Sequence, residues 1–402
     1  MESVCDKLKN GAVEIISDSE FSFLLSSKKE LVIKIGFDPT SKNLHLGHLV
    51  ILKKLLDFQN AGYFIHLVVG DFTASIGDPS GKNTARQSIL NSEIKKNYFN
   101  YDAYFFKFLD SSRLILYFNS TWFNFMLLSD FVQLLSVTTI SRLLERSDFK
   151  LRYLNNLPIG IHELIYPLLQ SYDSVFLFSD IEIGGIDQKF NLLLARDMQK
   201  KFFQKPQVLL MMPILIGLDG KNKMSKSLNN YVALDTDSYE LFCKIMSIPD
   251  SLLKEYYVIF NFLSPDDFDV LFIDKAVHPM DLKLELAVKI VSMLYDTCVA
   301  DDVKCKFINR VTQNNFDDLK ISEFFIPTEN ILLSDLLLML KFVDSLTQFK
   351  YFIKSSAISI DDIIVTDRHL TLVIGKVYFF RVGKQKVAKI FLKKSKKQLD
   401  DT

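Results

Sequence analysis

Apolar positions in the first half of the chain follow two spacings, which predict alternating strands and helices. Continuous apolar runs rich in β-branched residues are typical of buried parallel strands, and four lie at residues 30–38, 63–70, 174–185 and 207–217. Leucines at helical spacing separate the first two runs over about 44–62, and a second helical stretch covers about 188–202. Strand–helix–strand units of this kind favour one doubly wound parallel sheet of the α/β class.

The remaining segments have other patterns and predict further domains. Residues of about 90–165 show helical periodicity, so we expect a helical insertion within an α/β domain that covers residues 1–227. Strand signals then fade, which predicts an α-helical domain over 228–325. Residues 331–397 begin with a helical run and continue with short strand-like runs, which predicts a small α+β domain.

Composition narrows the class of protein without identifying its function. The chain has 402 residues, of which 49% are hydrophobic, so it can build more than one core. Its formal net charge is zero, so affinity for nucleic acid would need a local basic patch. The N-terminus lacks the apolar core of a secretory signal. No apolar run reaches the roughly 18 residues that span a bilayer. The four cysteines lack metal-ligand spacing. We expect a soluble, cytoplasmic protein with no membrane partner and no protein-bound metal.

The sequence NLHLGHLV, residues 43–50, places two of the six histidines at the predicted start of a helix. A helix start that follows a parallel strand offers unpaired N–H groups and the positive end of the helix dipole, which favour phosphate. The i,i+3 spacing puts His45 and His48 on one face, and Gly47 leaves room for a ligand near the backbone. Taken alone, the motif fits two solvated polar residues equally well.

A second motif, KNKMSKS at residues 221–227, changes that balance. Lys223 and Lys226 follow the last predicted strand together with two hydroxyl groups, which indicates a cationic loop able to hold pyrophosphate. A basic surface loop is common by itself. Here it lies about 175 residues after the histidine motif, and the pair resembles the two signatures of class I aminoacyl-tRNA synthetases.

Four further segments are similar, in order and spacing, to segments of bacterial-type tyrosyl-tRNA synthetases: residues 36–48, 70–87, 166–173 and 183–191. The second contains GDPSGKN, which is one residue short of a P-loop and has no Ser or Thr after its lysine. The last domain resembles the small S4-type RNA-binding domain of these enzymes. The chain is identified as a member of this group, in the subgroup with a KMSKS signature, and a Rossmann-like catalytic sheet is implied.

The resemblance implies a two-step reaction. The tyrosine carboxylate attacks the α-phosphorus of ATP, and the tyrosyl group then passes to the 3′ end of tRNA(Tyr); ATP is a substrate and brings Mg²⁺. Because the substrate supplies the nucleophile, the protein positions the reactants and stabilises phosphate charge. The residues implied in that task are Thr40, His45, His48, Lys82, Arg86, Lys223, Lys226 and Ser227. The residues implied in binding ATP are Gly36, Asp38, Gly47, Gly185, Asp187 and Lys226. Asp187 could instead be the N-cap of the following helix.

The resemblance also implies a binding site for tyrosine formed by Asp78, Tyr166, Gln170, Asp173 and Gln188. The spacing of Tyr166, Gln170 and Asp173 places them on one helix face, although Gln170 alone would also fit a solvated glutamine. Asp173 matches the position that accepts the tyrosine hydroxyl. A buried acceptor there would be left unpaired by phenylalanine, which gives discrimination.

One position departs from the family pattern. Many family members have a tyrosine two residues before the glycine of GFDPT, as a second partner for the hydroxyl, and this chain has Lys34 there. A cationic side chain cannot take over that role, so we expect Lys34 to point elsewhere.

Residues 376–397 form a local basic segment in this neutral chain, with nine Lys or Arg and no acid. Alternation with apolar residues predicts a strand pair with one basic face, on which Arg381, Lys384, Lys386 and Lys389 would contact tRNA phosphates. A solvated basic tail explains 393–397 equally well. RNA is favoured over DNA because the same chain carries the synthetase signatures, so no DNA partner is expected.

A homodimer is expected from the family alone, whose members pair through the insertion. Apolar residues 122–128 would suit that role, and a buried core helix would explain them equally well.

Three other functions remain open on the sequence. A tryptophanyl-tRNA synthetase shares both signatures, but Asp173 favours tyrosine. A dinucleotide-forming nucleotidyltransferase would leave the KMSKS loop and the basic segment unexplained. A synthetase-like RNA-binding protein without activity would not need two intact signatures.

Overall fold

The computed structural model describes ten stretches of the chain and divides the protein into two compact units. The described residues are 4–27, 30–40, 44–79, 91–271, 277–312, 322–326, 330–361, 363–374, 377–382 and 386–392. The first unit is Met1–Phe307 and the second is Ile308–Thr402. The first unit thus contains both the catalytic part and most of the helices after it, and the division into three domains stays a prediction.

A six-stranded sheet organises the first unit. Its strands are β1 (Glu14–Ile16), β2 (Ile33–Phe37), β3 (Ile65–Val69), β4 (Leu114–Phe118), β5 (Ile181–Gly185) and β6 (Val208–Met212). Their order is β1-β6-β5-β2-β3-β4, with β1 antiparallel to β6 and the other neighbours parallel. The chain runs outward from β2 to β4 and returns to β5 on the other side of β2. This reversal makes a topological switch point between β2 and β5, where open α/β sheets bind ligands.

Burial explains why these segments are strands and why the crossover between them is a helix. Every residue of β6 is buried, as expected for a parallel strand covered on both faces. In the crossover from β2 to β3, Leu49, Leu52 and Leu55 of α3 (Leu46–Asn60) are fully buried against the sheet. The expected parallel α/β sheet is confirmed.

Two predicted elements need correction. Residues 114–118 lie in the segment expected to be a helical insertion, yet they form β4, an edge strand whose short apolar run, LILYF, lies between stretches of helical periodicity. In the apolar run 174–185, only Ile181–Gly185 is a strand. The first residues of the run belong to the end of a helix and continue its buried face. Phe178, just after that helix, has a positive φ of 52°.

Helices cover the sheet and continue beyond it. The other α-helices of the first unit, together with one that crosses its boundary, are α1 (Val4–Lys9), α2 (Asp18–Ser27), α4 (Thr73–Ile76), α5 (Asn91–Phe108), α6 (Ser120–Phe123), α7 (Leu128–Leu135), α8 (Ile140–Leu143), α9 (Ser147–Leu154), α10 (Ile161–Phe176), α11 (Lys189–Lys201), α12 (Ser238–Met246), α13 (Leu253–Ile259), α14 (Pro265–Asp269), α15 (Pro279–Leu294) and α16 (Thr297–Thr312). Short 3₁₀ helices lie at Ser111–Arg113, Ile186–Gln188, Lys226–Leu228 and Asp250–Leu252. Within the described ranges, no helix has the length and apolarity needed to cross a membrane.

The second unit is a small α+β structure with its own core, and it fits an S4-like domain. Its elements are α17 (Leu333–Met339), α18 (Leu346–Lys354), β7 (Ser322–Ile326), β8 (Asn330–Leu332), β9 (Ile358–Ile360), β10 (Ile363–Ile364), β11 (Thr371–Val373), β12 (Val377–Val382) and β13 (Lys386–Leu392). Five strands form one sheet in the order β10-β9-β12-β13-β7. Phe380 and Ile390 at its centre are fully buried.

Candidate active site

A cavity of about 390 Å³ opens at the switch point between β2 and β5. Residues from both strand ends line it, together with side chains from α10 and from the start of α11. The predicted site residues among its lining are Gly36, Asp38, Thr40, His48, Asp78, Tyr166, Gln170, Asp173, Gly185, Asp187, Gln188 and Lys223. The fold therefore brings together residues that lie up to about 190 positions apart in the sequence.

The two histidines form the start of α3. His45 is the N-cap, and its Nδ1 accepts a hydrogen bond from the Gly47 N–H at 3.2 Å. The His45 N–H in turn donates to Nδ1 of His48 at 3.2 Å, so the pair makes a reciprocal capping box. A Cβ on Gly47 would lie 3.0 Å from the His45 ring, so this glycine also makes room for the imidazole. The predicted position at a helix start is confirmed.

This arrangement fixes the charge and the tautomer of both rings. Burial lowers the pKa of His45 to about 2, with further lowering by His48, Lys226 and Lys223, and burial lowers the pKa of His48 to about 4. Both rings are therefore neutral near pH 7. Because each Nδ1 accepts a backbone N–H, the single ring proton lies on Nε2. The two imidazoles are thus neutral donors beside the helix N-terminus.

The KMSKS loop is held in place by its own short-range contacts. Met224 is buried in the core and anchors the loop, while Lys223 remains exposed and lies 3.5 Å from Asp187. The buried Asn230 accepts the Ser225 N–H at 2.8 Å and donates to the Lys223 carbonyl at 3.1 Å. The positive charges of Lys226 and Lys223 lower the pKa of His45, so both lysines lie near the start of α3.

Six predicted residues of the catalytic site are not part of the described cavity lining: His45 and Gly47 at the start of α3, and Lys226, Ser227, Lys82 and Arg86. Lys226 is half-buried at the start of a 3₁₀ helix, and exposed Ser227 has its hydroxyl 2.8 Å from that of Ser225. Lys82 and Arg86 fall outside the described residues.

The loop after β2 is tied to α10 and α4 through one carboxylate. Asp38 accepts hydrogen bonds from the Tyr166 hydroxyl and from the Thr73 hydroxyl, each at 2.9 Å. Gly70 permits this approach, because a Cβ there would collide with the Asp38 carboxylate and the Thr73 hydroxyl. Burial and the nearby carboxylate of Asp38 raise the pKa of Tyr166 well above its usual value, so this phenol is a hydrogen-bond donor.

A chain of amides organises the side of the cavity assigned to the tyrosine amino and carboxylate groups. Gln188 donates to Asp78 at 2.6 Å, while the Asn191 amide donates to Gln170 at 2.7 Å and to Gln188 at 2.9 Å. Arg146, nearly fully buried, donates to Asn191 at 3.2 Å. Gln170 is therefore part of a network and is not a solvated surface residue.

Asp173 lies at the closed end of the cavity. It is 4% exposed and accepts hydrogen bonds from Trp122 Nε1 at 3.0 Å and from Asn119 Nδ2 at 3.4 Å. Burial raises its pKa to about 7, which Lys34 and these two donors oppose. A buried carboxylate with two fixed donors is a rigid acceptor for one more hydrogen bond.

Lys34 is not among the residues that line the cavity, as expected. Its ammonium group is fully buried and contacts Glu182 at 2.8 Å, the Ser174 hydroxyl at 2.7 Å and the Gln170 carbonyl at 3.4 Å. Glu182 itself lines the cavity.

Sequence reasoning missed five residues that shape the site: Thr73, Asn119, Trp122, Arg146 and Asn191. Each supports a predicted residue from a distant segment, and the burial of a polar side chain cannot be read from sequence. The one signal available was Trp122, the only tryptophan of the chain. Asp187 lies in the 3₁₀ helix before α11, whose N-cap is Gln188, so the capping alternative for Asp187 is wrong.

The second unit contains the expected pair of strands, β12 and β13. Their register, however, does not place all the predicted basic residues on one face. Opposite residues in β12 and β13 include Phe379 with Lys389 and Val382 with Lys386. Side chains alternate along a strand, so positions 386 and 389 fall on opposite faces and cannot share one basic face. Arg381 and Lys389 do share a face. Lys384 lies outside the described residues, and only the backbone of Lys386 is described.

No group of three or more His, Cys, Asp or Glu side chains that could hold a metal ion occurs among the described residues. The four cysteines, all described, are free thiols.

Comparisons with known proteins agree with this geometry. The family model for class I tRNA synthetases (W and Y) matches residues 26–317. A tyrosine–tRNA ligase of Colwellia psychrerythraea is 42% identical over 388 residues, which cover 96% of this chain and 97% of that relative. A tyrosine–tRNA ligase of Francisella tularensis is 40% identical over 389 residues, which cover 96% of this chain and 98% of that relative.

A solved structure, that of tyrosyl-tRNA synthetase from Archaeoglobus fulgidus complexed with L-tyrosine, matches with a TM-score of 0.61 and 24% identity. The match covers 75% of this chain and 98% of that one, and it shows the shared fold. The chain therefore belongs to the class I tRNA synthetases, among the bacterial tyrosine–tRNA ligases.

Proposed function

We propose that this chain activates L-tyrosine with ATP, giving tyrosyl-adenylate and pyrophosphate, and transfers the tyrosyl group to tRNA(Tyr). The observation that carries the proposal is the single cavity that joins the histidine motif, the KMSKS loop and a buried acceptor at Asp173. The relatives named as tyrosine–tRNA ligases extend over nearly the whole chain, which supports the same reaction.

At one end of the cavity, the reaction needs donors for phosphate oxygens that gain charge. His45 and His48 supply neutral Nε2–H groups at a helix N-terminus, and Lys223 and Lys226 supply positive charge for the departing pyrophosphate. Thr40, which lines the same cavity, would take part as a further hydroxyl donor. Mg²⁺ would arrive with the ATP phosphates.

At the other end, the cavity recognises the amino acid. Asp78, Gln170 and Tyr166 would hold the α-amino group, and Gln188 would face the carboxylate. Asp173 would accept the hydroxyl of tyrosine. The adenosine part would lie over Gly36, Gly47 and Gly185, with Asp38 and Asp187 beside it, along the carboxyl ends of β2 and β5.

The second unit would bind tRNA through backbone phosphates. Arg381 and Lys389 share one face of the β12–β13 pair and remain partly exposed. Such contacts give affinity without reading sequence.

The chain would act as a homodimer through an exposed apolar patch of Phe125, Leu127, Leu128 and Val132. These side chains are 82%, 66%, 77% and 58% exposed, while the preceding Trp122 is buried. Large exposed apolar patches of this kind mark protein interfaces. Phe125→Asp should shift the sedimentation coefficient from dimer to monomer, and an unchanged coefficient would place the interface elsewhere.

The direct test is ATP–pyrophosphate exchange with purified protein and each of tyrosine, tryptophan and phenylalanine. Exchange with tyrosine supports the proposal, and exchange with tryptophan would assign the chain to the other branch of the family. Exchange with none of the three would leave a binding protein without this activity.

Loss of the second unit separates activation from charging. A cut near Thr328 would leave β7 without its partner β13, so the chain should end at residue 316, between α16 and β7. The truncated protein should keep tyrosine exchange and lose most tRNA charging, whereas full-length charging should fall steeply with salt. Equal charging by both proteins would contradict a tRNA-binding role.

A further inference from the structure

Three ionisable side chains are buried together at the closed end of the cavity. Asp173 and Glu182 both line it and are 4% and 1% exposed, and Lys34 beneath them is fully buried. Two carboxylates and one ammonium group leave a single negative charge in a water-poor environment, where unbalanced charge is strongly disfavoured.

The contacts of the two carboxylates differ. Glu182 accepts hydrogen bonds from Lys34 at 2.8 Å, from the Ser174 hydroxyl at 2.7 Å, and from Gln207. Its two oxygens are therefore engaged with three donors from the protein. Among the described residues, Asp173 accepts from the two neutral donors Trp122 and Asn119, so it keeps acceptor capacity for a ligand.

We propose that Lys34 is a specificity-determining positioning residue, which neutralises Glu182 and thereby keeps the remaining negative charge on Asp173 as an acceptor for a phenol. Lys34 would thus act through charge balance, at the position where many family members have a tyrosine. The inference rests on the proposed function and specifies how the protein recognises the hydroxyl group of tyrosine.

The surroundings of Asp173 support this charge balance. Lys34 on β2, Asp38 in the loop after β2 and Tyr166 on the same helix interact with it electrostatically, and Glu182 on β5 lines the same cavity. Burial raises the pKa of Asp173 to about 7, Lys34 opposes that rise more than either neutral donor does, and Asp38 adds to it. Without Lys34, one of the two carboxylates would take up a proton. A protonated Asp173 would bind phenol without charge assistance.

The test measures the ratio of kcat/KM for tyrosine to kcat/KM for phenylalanine in ATP–pyrophosphate exchange, from pH 5.5 to pH 9. In the unaltered protein the ratio should rise with pH as Asp173 ionises. Lys34→Met should move the midpoint of that rise to higher pH, and Glu182→Gln should move it to lower pH, each by about one pH unit. A role in packing alone would not move the two midpoints in opposite directions.

The double variant Lys34→Met/Glu182→Gln removes both charges and should return the midpoint close to that of the unaltered protein. If Lys34→Met alone fails to fold, Glu182→Gln and the double variant still decide the question. Lys205→Met, at an exposed ion pair with Glu20, is the control and should leave the midpoint unchanged.

Midpoints that stay in place, or that move in the same direction in folded variants, would overturn the inference. That result differs from failure of the proposed function, in which the unaltered protein would show no exchange with tyrosine.

Discussion

The two ends of the cavity use charge in opposite ways. At the end proposed for the tyrosine hydroxyl, Asp173, Lys34 and Glu182 are all buried, and Lys34 forms a buried ion pair with Glu182. At the phosphate end, formed by the two histidines and the KMSKS loop, the buried rings are neutral and the cation of Lys223 is 46% exposed. Under the proposed function, recognition of tyrosine would depend on a fixed buried acceptor, and the chemical step would depend on neutral donors with accessible cations nearby.

The largest expected effect is at the phosphate end. His48→Ala should lower the rate of adenylate formation by about 10²–10³-fold, because a donor to the transition state is lost. Rapid-quench measurement of adenylate provides the rate. His278→Ala is a matched control, since His278 also caps a helix, α15, through its Nδ1 but is exposed. A normal kcat with only a raised KM for tyrosine would contradict the assignment.

A smaller effect is expected at the hydroxyl end. Asp173→Asn should reduce discrimination between tyrosine and phenylalanine by about 10²-fold, because the charged acceptor is replaced by a neutral amide. Competition between the two amino acids in pyrophosphate exchange measures it. Asp130→Asn, at an exposed carboxylate, should leave discrimination intact. If Asp173→Asn also leaves it intact, the hydroxyl is read by another group.

Trp122→Phe should have a weaker effect of the same kind. It removes the N–H that donates to Asp173 and keeps an aromatic side chain, so discrimination should fall by about tenfold. An effect as large as that of Asp173→Asn would mean that Trp122 itself contacts the amino acid.

The smallest effect concerns stability. The folded pKa of Asp173 is about 7, above its unfolded value, so its contribution to the free energy of unfolding is present at low pH and is lost as pH rises through about 7. Asparagine does not titrate. The free energy of unfolding of Asp173→Asn relative to the unaltered protein should therefore increase between pH 5 and pH 8, as urea unfolding would show. A constant difference would mean that Asp173 is ionised throughout.

The two ends also differ in how far the sequence predicts them. His45 and His48 lie three residues apart after a strand, so their place at a helix start follows from local spacing, as does that of the lysines in the KMSKS loop. The partners of Asp173 do not follow, because Trp122 reaches it from α6 across 51 positions and Asn119 reaches it from the N-cap of that helix across 54 positions. The sheet was predictable where apolar runs stand apart from helical patterns, whereas β1 has only three residues and the apolar run of β4 lies within a segment of helical periodicity.

The central claim, that one end of the cavity carries out the chemistry and the other recognises tyrosine, is tested by two quantities measured on the same two variants. Trp122, the only tryptophan, lies in the site, so its fluorescence reports the Kd for tyrosine, while rapid quench reports the rate of adenylate formation. We predict that His48→Ala keeps the Kd within about threefold and loses rate, whereas Asp173→Asn mainly loses affinity for tyrosine over phenylalanine. Loss of the same quantity in both variants would contradict the account.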